Sequence, residues 1–166
     1  MAVELKFFNS NLVAKTKAVN EYVGNAQLSL VVATGEIAAA DDDGSVYGLM
    51  LVKSNDRPVR VTVACDAITG GTDYELGLYE YDPTVSSGIG AVVSKGLLMT
   101  GQTLASASKV LDGFAAVDVA NWGKTYWELL SLTKDPQKQY VLALTGDTVG
   151  SGAGTVTVRA EHLHTV

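Results

Sequence analysis

The sequence predicts an all-β protein, a single jelly-roll-like sandwich of two antiparallel sheets with one short helix. Three observations lead to this fold class. Apolar and polar residues alternate with period two in several short segments, as half-buried strands require. Gly is abundant at 17 residues and Pro is scarce at 3, which suits tight turns between short strands. The segments number about eight, enough for two sheets that bury their apolar faces against each other.

Composition narrows the class of protein. The 166 residues fit one domain, and 47% hydrophobic with 18% charged residues excludes general disorder,. The net charge is −6, and no Lys or Arg cluster is dense enough to follow a phosphate backbone, so nucleic acid is not an expected partner. No apolar run approaches the roughly 18 residues that span a bilayer, and no basic start precedes an apolar core, so no membrane partner is expected. We expect a soluble protein made in a reducing cytoplasm.

The chain divides into a leader, residues 1–26, and a β-sandwich domain, residues 27–166. The leader is slightly basic, and its apolar residues show neither the sustained period of two of a strand nor the period of 3.6 of a helix. Two interpretations stay open, an arm that orders against a partner and an ordinary first strand of the domain. The apolar leader residues that we predict to contact a partner protein are Leu5, Phe7, Phe8, Leu12 and Val13.

The domain begins with a β-branched strand, Leu28 to Thr34. Asp41-Asp42-Asp43-Gly44 follows. An EF-hand loop with Gly44 at its sixth position would end at Met50 instead of Glu, so the spacing favours a solvated turn over a calcium site.

Three alternating segments come next and predict an antiparallel meander. They are Ser45 to Val52, Arg57 to Cys65 and Asp73 to Tyr81. In the second, Val59, Val61, Val63 and Cys65 share the apolar face. In the third, Tyr74, Leu76 and Leu78 face one way, with Glu75, Gly77 and Tyr79 opposite,.

The second half of the chain predicts further strands at Ile89 to Thr100, Leu104 to Val110, Gln139 to Thr145 and Gly154 to His162. Thr125 and Glu128 have capping-box spacing, which predicts a helix of about two turns before Pro136, with Trp127 and Leu130 against the sheet. Four glycines between residues 146 and 154 predict a flexible, exposed hairpin tip,.

The candidate motifs for phosphate binding, thiol chemistry and metal binding are each incomplete in this sequence. Gly123-Lys124-Thr125 would end a phosphate loop whose first glycine is replaced by Asp118,. Cys65 is expected to be a buried thiol and cannot form an internal disulfide. His162 and His164 would share a strand face, but no third ligand completes a metal site and a frayed terminus is expected.

Carboxylate pairs are the remaining catalytic option. Asp73 with Glu75, or Glu75 with Glu80, has the residue types of glycoside chemistry, although exposed strand carboxylates ordinarily serve solubility. We therefore predict no catalytic residue, no cofactor and no metal, and expect that the protein is not an enzyme.

Exposed aromatic residues can stack on sugars or anchor an interface. Tyr79 and Tyr81 are the candidate protein-contact residues of the third central segment, since they lie opposite Leu76 and Leu78. Burial of these two tyrosines in the second sheet is the alternative. Trp122 is a further candidate, whereas Trp127 is assigned to the core.

Six segments, in order between Glu36 and Ala160, resemble the cement, or decoration, proteins that clamp the icosahedral heads of certain short-tailed bacteriophages. They are Asp41–Tyr47 (DDDGSVY), Cys65–Gly70 (CDAITG), Tyr74–Tyr79 (YELGLY), Leu104–Val110 (LASASKV), Trp127–Pro136 (WELLSLTKDP) and Thr148–Val156 (TVGSGAGTV). The resemblance implies a jelly-roll protein on the outer surface of a virion capsid, often a homodimer, that bridges neighbouring major capsid subunits. It implies no active site.

Two other functions remain as alternatives. One is a carbohydrate- or receptor-binding sandwich of a virion that uses Tyr79, Tyr81 and Trp122 as stacking platforms. The other is a small hydrolase built on the acidic residues.

Overall fold

The computed structural model describes the backbone of Leu5–Phe7, Val19–Asn20 and residues 26–165, and the side chains of residues 27–164. Its strands are β1 (Leu5–Phe7), β2 (Val19–Asn20), β3 (Ala26–Ile37), β4 (Ser45–Lys53), β5 (Arg57–Cys65), β6 (Asp73–Tyr81), β7 (Ile89–Gln102), β8 (Ser108–Asp112), β9 (Gln139–Thr148) and β10 (Gly154–Thr165). A 3-10 turn at Val119–Asn121 and the helix α1 (Tyr126–Leu129) lie between β8 and β9. The all-β prediction is confirmed.

The strands form two sheets with jelly-roll pairing. Sheet A has the order β1-β4-β9-β6-β7, and sheet B has the order β2-β3-β10-β5-β8. Among the eight strands from β3 onward, the first pairs with the last and each following strand pairs with the next one inward: β3 with β10, β4 with β9, β5 with β8 and β6 with β7. This nesting puts alternate hairpins into opposite sheets, as two Greek keys do.

The three central segments are strands, but the predicted meander is wrong. β4 and β6 lie in sheet A on either side of β9, and β5 lies in sheet B between β10 and β8. Local periodicity gives a strand its apolar face but carries no information about its neighbours. Placing β4 and β5 in opposite sheets lets their inner faces cover each other.

The core lies between the sheets and includes several large aromatic side chains. Tyr47 and Tyr74 are fully buried. The Tyr47 hydroxyl donates to Asp41 Oδ2 at 3.0 Å, and the Tyr74 hydroxyl donates to the Val149 carbonyl at 3.0 Å. Burial raises the pKa of both tyrosines. Each ring can therefore contribute its apolar area, because its polar group keeps a hydrogen bond.

The acidic turn before β4 is built into the fold. Asp41 is buried and its Oδ2 accepts from the Ala38 N–H at 3.0 Å. Asp43 Oδ1 accepts from the Val149 N–H at 2.9 Å. The expectation of a solvated turn is wrong, because the Asp41 and Asp43 carboxylates accept hydrogen bonds from backbone N–H groups and, for Asp41, from the Tyr47 hydroxyl,.

The glycine-rich segment before β10 is not a free hairpin tip. Ser151 N–H donates to the Thr69 carbonyl at 2.8 Å, and Gly152 N–H donates to the same oxygen at 3.2 Å. A Cβ on Gly152 would lie 2.5 Å from Thr69 N. The glycines are therefore where two backbones approach closely, which explains their density better than flexibility does.

The capping-box prediction for α1 is confirmed, and its predicted length is wrong. The Thr125 N–H donates to Glu128 Oε2 at 2.8 Å, which lowers the pKa of Glu128. The helix has one turn, and Ser131 follows with a left-handed φ of 58°,. Tyr126 is the fully buried residue of α1, whereas Trp127 is half-buried, so the assignment of Trp127 to the core is corrected.

A bulge changes which side chains β5 presents. Arg60 lies opposite Glu161, but Pro58 lies opposite His162, so one extra residue of β5 sits against β10. Pro58 points inward and Val59 is exposed. The uninterrupted period-two pattern predicted that Val59 shares the apolar face of Val61. This prediction is wrong, because the bulge turns Val59 outward,.

Candidate contact surfaces

The outer face of sheet A carries an apolar row across four strands. Leu51 lies opposite Val141, Val141 lies opposite Tyr79, and Tyr79 lies opposite Val92. Leu51 and Val92 are 37% and 58% exposed. We call this outer side of sheet A the A face; Leu51, Tyr81 and Val92 are its exposed apolar residues, and Tyr79 and Val141 are its buried ones. A row of this kind can contact another protein without disturbing the core.

The two predicted contact tyrosines differ. Tyr81 is 37% exposed, in agreement with its predicted exposure. Tyr79 is only 6% exposed and packs in a small cluster with Val46, Ile89, Val141 and Ala143 on the outer side of the sheet. Of the two alternatives for Tyr79, exposure is therefore wrong, and its burial is within this outer cluster and not against the second sheet. Tyr79 does lie on the face of β6 opposite Leu76 and Leu78, as predicted.

The Tyr79 hydroxyl is part of this cluster. It makes a 2.7 Å hydrogen bond with Thr145 Oγ1. Burial raises the pKa of Tyr79. Tyr79 therefore supports the A face from beneath and is not itself an exposed anchor.

The leader candidates cannot be placed as side chains. Phe8, Leu12 and Val13 lie outside the described residues, and β1 is described by its backbone alone. β1 runs parallel to β4 at the edge of sheet A, and β2 pairs with β3 at the edge of sheet B. The described parts of the leader thus extend one edge of each sheet.

Ion pairs flank the A face. At one end, Lys95 Nζ bonds Asp147 Oδ2 and lies 3.6 Å from Glu75 Oε2. The hydrogen bond to Asp147 raises the pKa of Lys95. At the other end, Lys138 Nζ lies 3.0 Å from Glu80 Oε1. Charged groups at the margin of an apolar patch favour specific orientation over indiscriminate adhesion.

The outer face of sheet B mixes apolar and basic residues. One row runs Val32, Arg159, Thr62, and a second runs Leu30, Glu161, Arg60. Val110 of β8 is also exposed on this side. We call this surface the B face; its residues are Leu30, Val32, Arg60, Thr62, Val110, Arg159 and Glu161. Arg60 and Arg159 give this face positive charge, although the chain as a whole has a net charge of −6.

Trp122 borders a cleft at one end of the B face. Its indole is 61% exposed. The Nε1–H donates to the Val117 carbonyl at 3.2 Å, and the ring centroid lies 6.2 Å from that of Phe114. The ring is held in place while most of its surface stays open.

Cys65 and His162 are too far apart to act together as a nucleophile and its base. Cys65 lies opposite Val156 at one end of the β5–β10 pair, and His162 lies opposite Pro58 at the other end. Cys65 is buried, and burial raises the pKa of its thiol. A buried, protonated thiol is a poor nucleophile.

The two histidines share a strand face, as predicted, but the expected frayed terminus is wrong. His162 is 1% exposed and its Nε2 bonds the Tyr126 hydroxyl at 2.7 Å. His164 Nδ1 lies 2.6 Å from the buried carboxylate of Asp56, and the two imidazole centroids are 6.3 Å apart. Burial lowers the pKa of His162 to about 4. These bonds join β10 to α1 and to the turn between β4 and β5.

The acidic residues give one cluster. Carboxylate oxygens of Asp73, Glu75 and Asp147 lie within 4.8 Å of one another, and all three residues are half-buried. The ammonium group of Lys95 supplies positive charge to Glu75 and Asp147. Sequence analysis named Asp73 with Glu75, but Asp147 comes from β9 and only sheet pairing brings it there.

No protein-family model matches the sequence, and no curated protein sequence matches it. Solved structures do match in fold. A chain of the "Capsid of Ralstonia phage GP4" aligns over 96% of this chain and 99% of that chain, with a TM-score of 0.59 and 13% identity.

Two other capsid structures align less well. A chain of the "Cyanophage Pam1 capsid asymmetric unit" covers 93% of this chain and 96% of its own, with a TM-score of 0.44 and 14% identity. A chain of the capsid of Helicobacter pylori bacteriophage KHP30 covers 85% and 94%, with a TM-score of 0.42 and 16% identity. The alignment with the GP4 capsid chain, at a TM-score of 0.59, shows that this chain has a fold that occurs in phage capsids. Among the described residues, no helix has the length and apolar character to cross a bilayer.

Proposed function

We propose that this chain is a non-enzymatic cement protein that binds the outer surface of an icosahedral phage head and bridges neighbouring major capsid subunits. The observation that carries the proposal is that exposed apolar side chains lie on both outer faces of the sandwich, with Leu51, Tyr81 and Val92 on the A face and Val32 and Val110 on the B face. A protein that folds alone needs apolar residues between its sheets, not outside them. The A face and the B face each offer such residues to a neighbour.

Bridging requires two contacts on one body. The A face and the B face point away from each other because they lie on opposite sheets. Two separate modest contacts give a much tighter attachment than either alone, since the second forms at high effective concentration. Repeated over a shell, such contacts would resist forces that separate capsid subunits.

The likeness to a chain of the GP4 phage capsid supports a virion role. The alignment extends over nearly the whole of both chains, so it involves the complete sandwich and not a shared hairpin. The six segments that resemble head-stabilising proteins support the finer assignment to a cement protein.

The proposal includes partners that the sequence suggested. A second copy of the chain can pair through an isologous contact at a sheet edge, which would shield exposed backbone groups. The side chains of Leu5, Phe7, Phe8, Leu12 and Val13 remain predicted contacts with capsid protein or with that second copy.

Attachment to heads tests the proposal. Heads of the encoding phage that lack the protein are incubated with purified chain, and bound copies are counted after sedimentation. Val92→Lys on the A face and Val32→Lys on the B face should each weaken attachment roughly tenfold, as expected for loss of a central apolar contact worth more than 1 kcal/mol.

Val85→Lys is the matched control. Val85 is exposed in the loop after β6 and belongs to neither face, so attachment should not change. Cryo-electron microscopy of the particles should place the chain on the outside of the shell, between subunits. Particles without any copy of the chain, or attachment indifferent to both face variants, would overturn the proposal.

A further inference from the structure

The cleft beside Trp122 has the features of a small-molecule site. Its volume is about 380 Å³, within the range of roughly 300–1,000 Å³ for ligand pockets. Val59 and Phe114 line it with Trp122, and Arg60, Asp112 and Glu161 supply its charged groups. The bulge in β5 that turns Val59 outward helps to form it.

The Trp122 ring is presented as a rigid platform. Its N–H already donates to the Val117 carbonyl, and its ring is tilted by 56° against that of Phe114. What remains for a ligand is the π surface, which favours stacking over hydrogen bonding to the indole. An exposed, fixed aromatic ring suits a ligand with a flat apolar side, such as the C–H face of a pyranose.

The polar groups around the ring are available. Among the described residues, the salt bridges do not include Arg60, Asp112 or Glu161. Asp112 uses Oδ1 to accept from the Phe114 N–H at 2.9 Å, which fixes its carboxylate at the end of β8. The cleft therefore offers both acceptors and a forked donor next to an apolar platform.

The mixture of charges selects the class of ligand. A strongly anionic ligand would meet two carboxylates, and a cationic one would meet a guanidinium. Neutral hydroxyl groups both donate and accept, so they can bond to all three. We propose that this cleft is a binding site for a neutral saccharide, with one pyranose ring stacked on Trp122 and its hydroxyls bonded to Arg60, Asp112 and Glu161.

The cleft shares Arg60 and Glu161 with the B face, but Trp122 belongs to the cleft alone, so variants of Trp122 test saccharide binding separately from head attachment. The probe is an array of neutral and acidic mono- to tetrasaccharides, followed by calorimetric titration of the full chain with the methyl glycosides that the array selects. Neutral glycans should bind and sialylated or sulfated ones should not. Trp122→Ala should weaken binding about tenfold, because both the stacking contact and the apolar area of the ring are lost.

Matched variants separate stacking from folding. Trp122→Tyr keeps a stacking ring and should retain most of the affinity. Val119→Ser changes an exposed residue of the same loop that does not line the cleft, and should bind normally. Asp112→Asn keeps an acceptor for the Phe114 N–H and should weaken sugar binding without lowering the melting temperature.

Three results would overturn the proposal. One is the absence of binding to any array saccharide at millimolar concentration. Another is saccharide binding that Trp122→Ala leaves unchanged. The third is loss of head attachment in Trp122→Ala, since the cleft would then be a protein contact.

Discussion

Gly77 occupies the closest approach between β6 and β7. Between Leu76 and Leu78, β6 advances two residues while β7 advances five, from Met99 to Ser94. The extra residues of β7 fold over the outer side of β6. A Cβ added to Gly77 would lie 2.5 Å from the carbonyl carbon and oxygen of Lys95, and closer still to the Ser94 carbonyl oxygen.

Gly77→Ala should therefore be strongly destabilising. Non-bonded carbon atoms prefer a separation of about 3.5–4.0 Å, so the shortfall is roughly 1 Å or more. The opposing atoms are backbone, which cannot rotate away as a side chain can. Overpacking typically costs about 1–3 kcal/mol, and this site should reach about 3 kcal/mol, which lowers the melting temperature by about 6–12 °C for a domain of this size.

Gly96→Ala is the matched control because it lies in the same bulge. Its added Cβ would meet only the Glu75 carboxylate, at 3.4 Å, and Gly96 has no left-handed φ. Replacing glycine in a strand with alanine gains up to about 1 kcal/mol, so the variant should be neutral or slightly more stable. Thermal unfolding followed by circular dichroism compares the two variants.

A small effect of Gly77→Ala would contradict a close backbone contact between β6 and β7. If both variants melt within about 2 °C of the unmodified chain, which corresponds to less than about 1 kcal/mol, β7 does not cross β6 as closely as described. Lys95 would then not be held beside Asp147, at the charged margin of the A face.

The remaining predictions concern stability at acidic pH and the packing of the loops. The pKa of folded His162 is about 4 and that of an unfolded histidine is about 6.5. The unfolded state therefore binds the extra proton between these values, and stability should fall by about 3 kcal/mol as the pH drops through that window. Urea unfolding at several pH values measures it, and His162→Gln should lose most of the slope; an unchanged slope would assign the effect to other groups. Gly150→Ala should cost at least about 2 kcal/mol more than Gly123→Ala. Both glycines have left-handed φ, but an added Cβ crowds the backbone of residues 69–71 only at Gly150. Equal melting temperatures for these two variants would contradict close packing of the loops.

Local patterns in the sequence were sufficient for much of the secondary structure. β5 and β6 have the predicted bounds, and the Thr125–Glu128 capping box forms. These features depend on residues a few positions apart. The error in the length of α1 is also local, since nothing in the sequence required Ser131 to adopt a left-handed φ.

Long-range pairing decided what the sequence could not predict. One extra residue in β5 turned Val59 outward, and the long excursion of β7 accompanied the burial of Tyr79. Both effects depend on which strand lies opposite, which alternation does not encode. For the same reason, the sequence did not predict that Asp147 lies beside Asp73 and Glu75.

The division between inner and outer residues is what links the fold to the proposed function. Val61 and Val63 of β5 are buried between the sheets, and their apolar area stabilises the chain by itself,. Val32 and Val92 lie on outer faces, where their side chains remain exposed to water in the single chain. Exposed valines on opposite sheets add little to the stability of the monomer, but they can stabilise an assembly in which both sheets are covered. Substitutions at these positions should therefore change attachment far more than they change folding, whereas those at Val61 or Val63 should do the reverse.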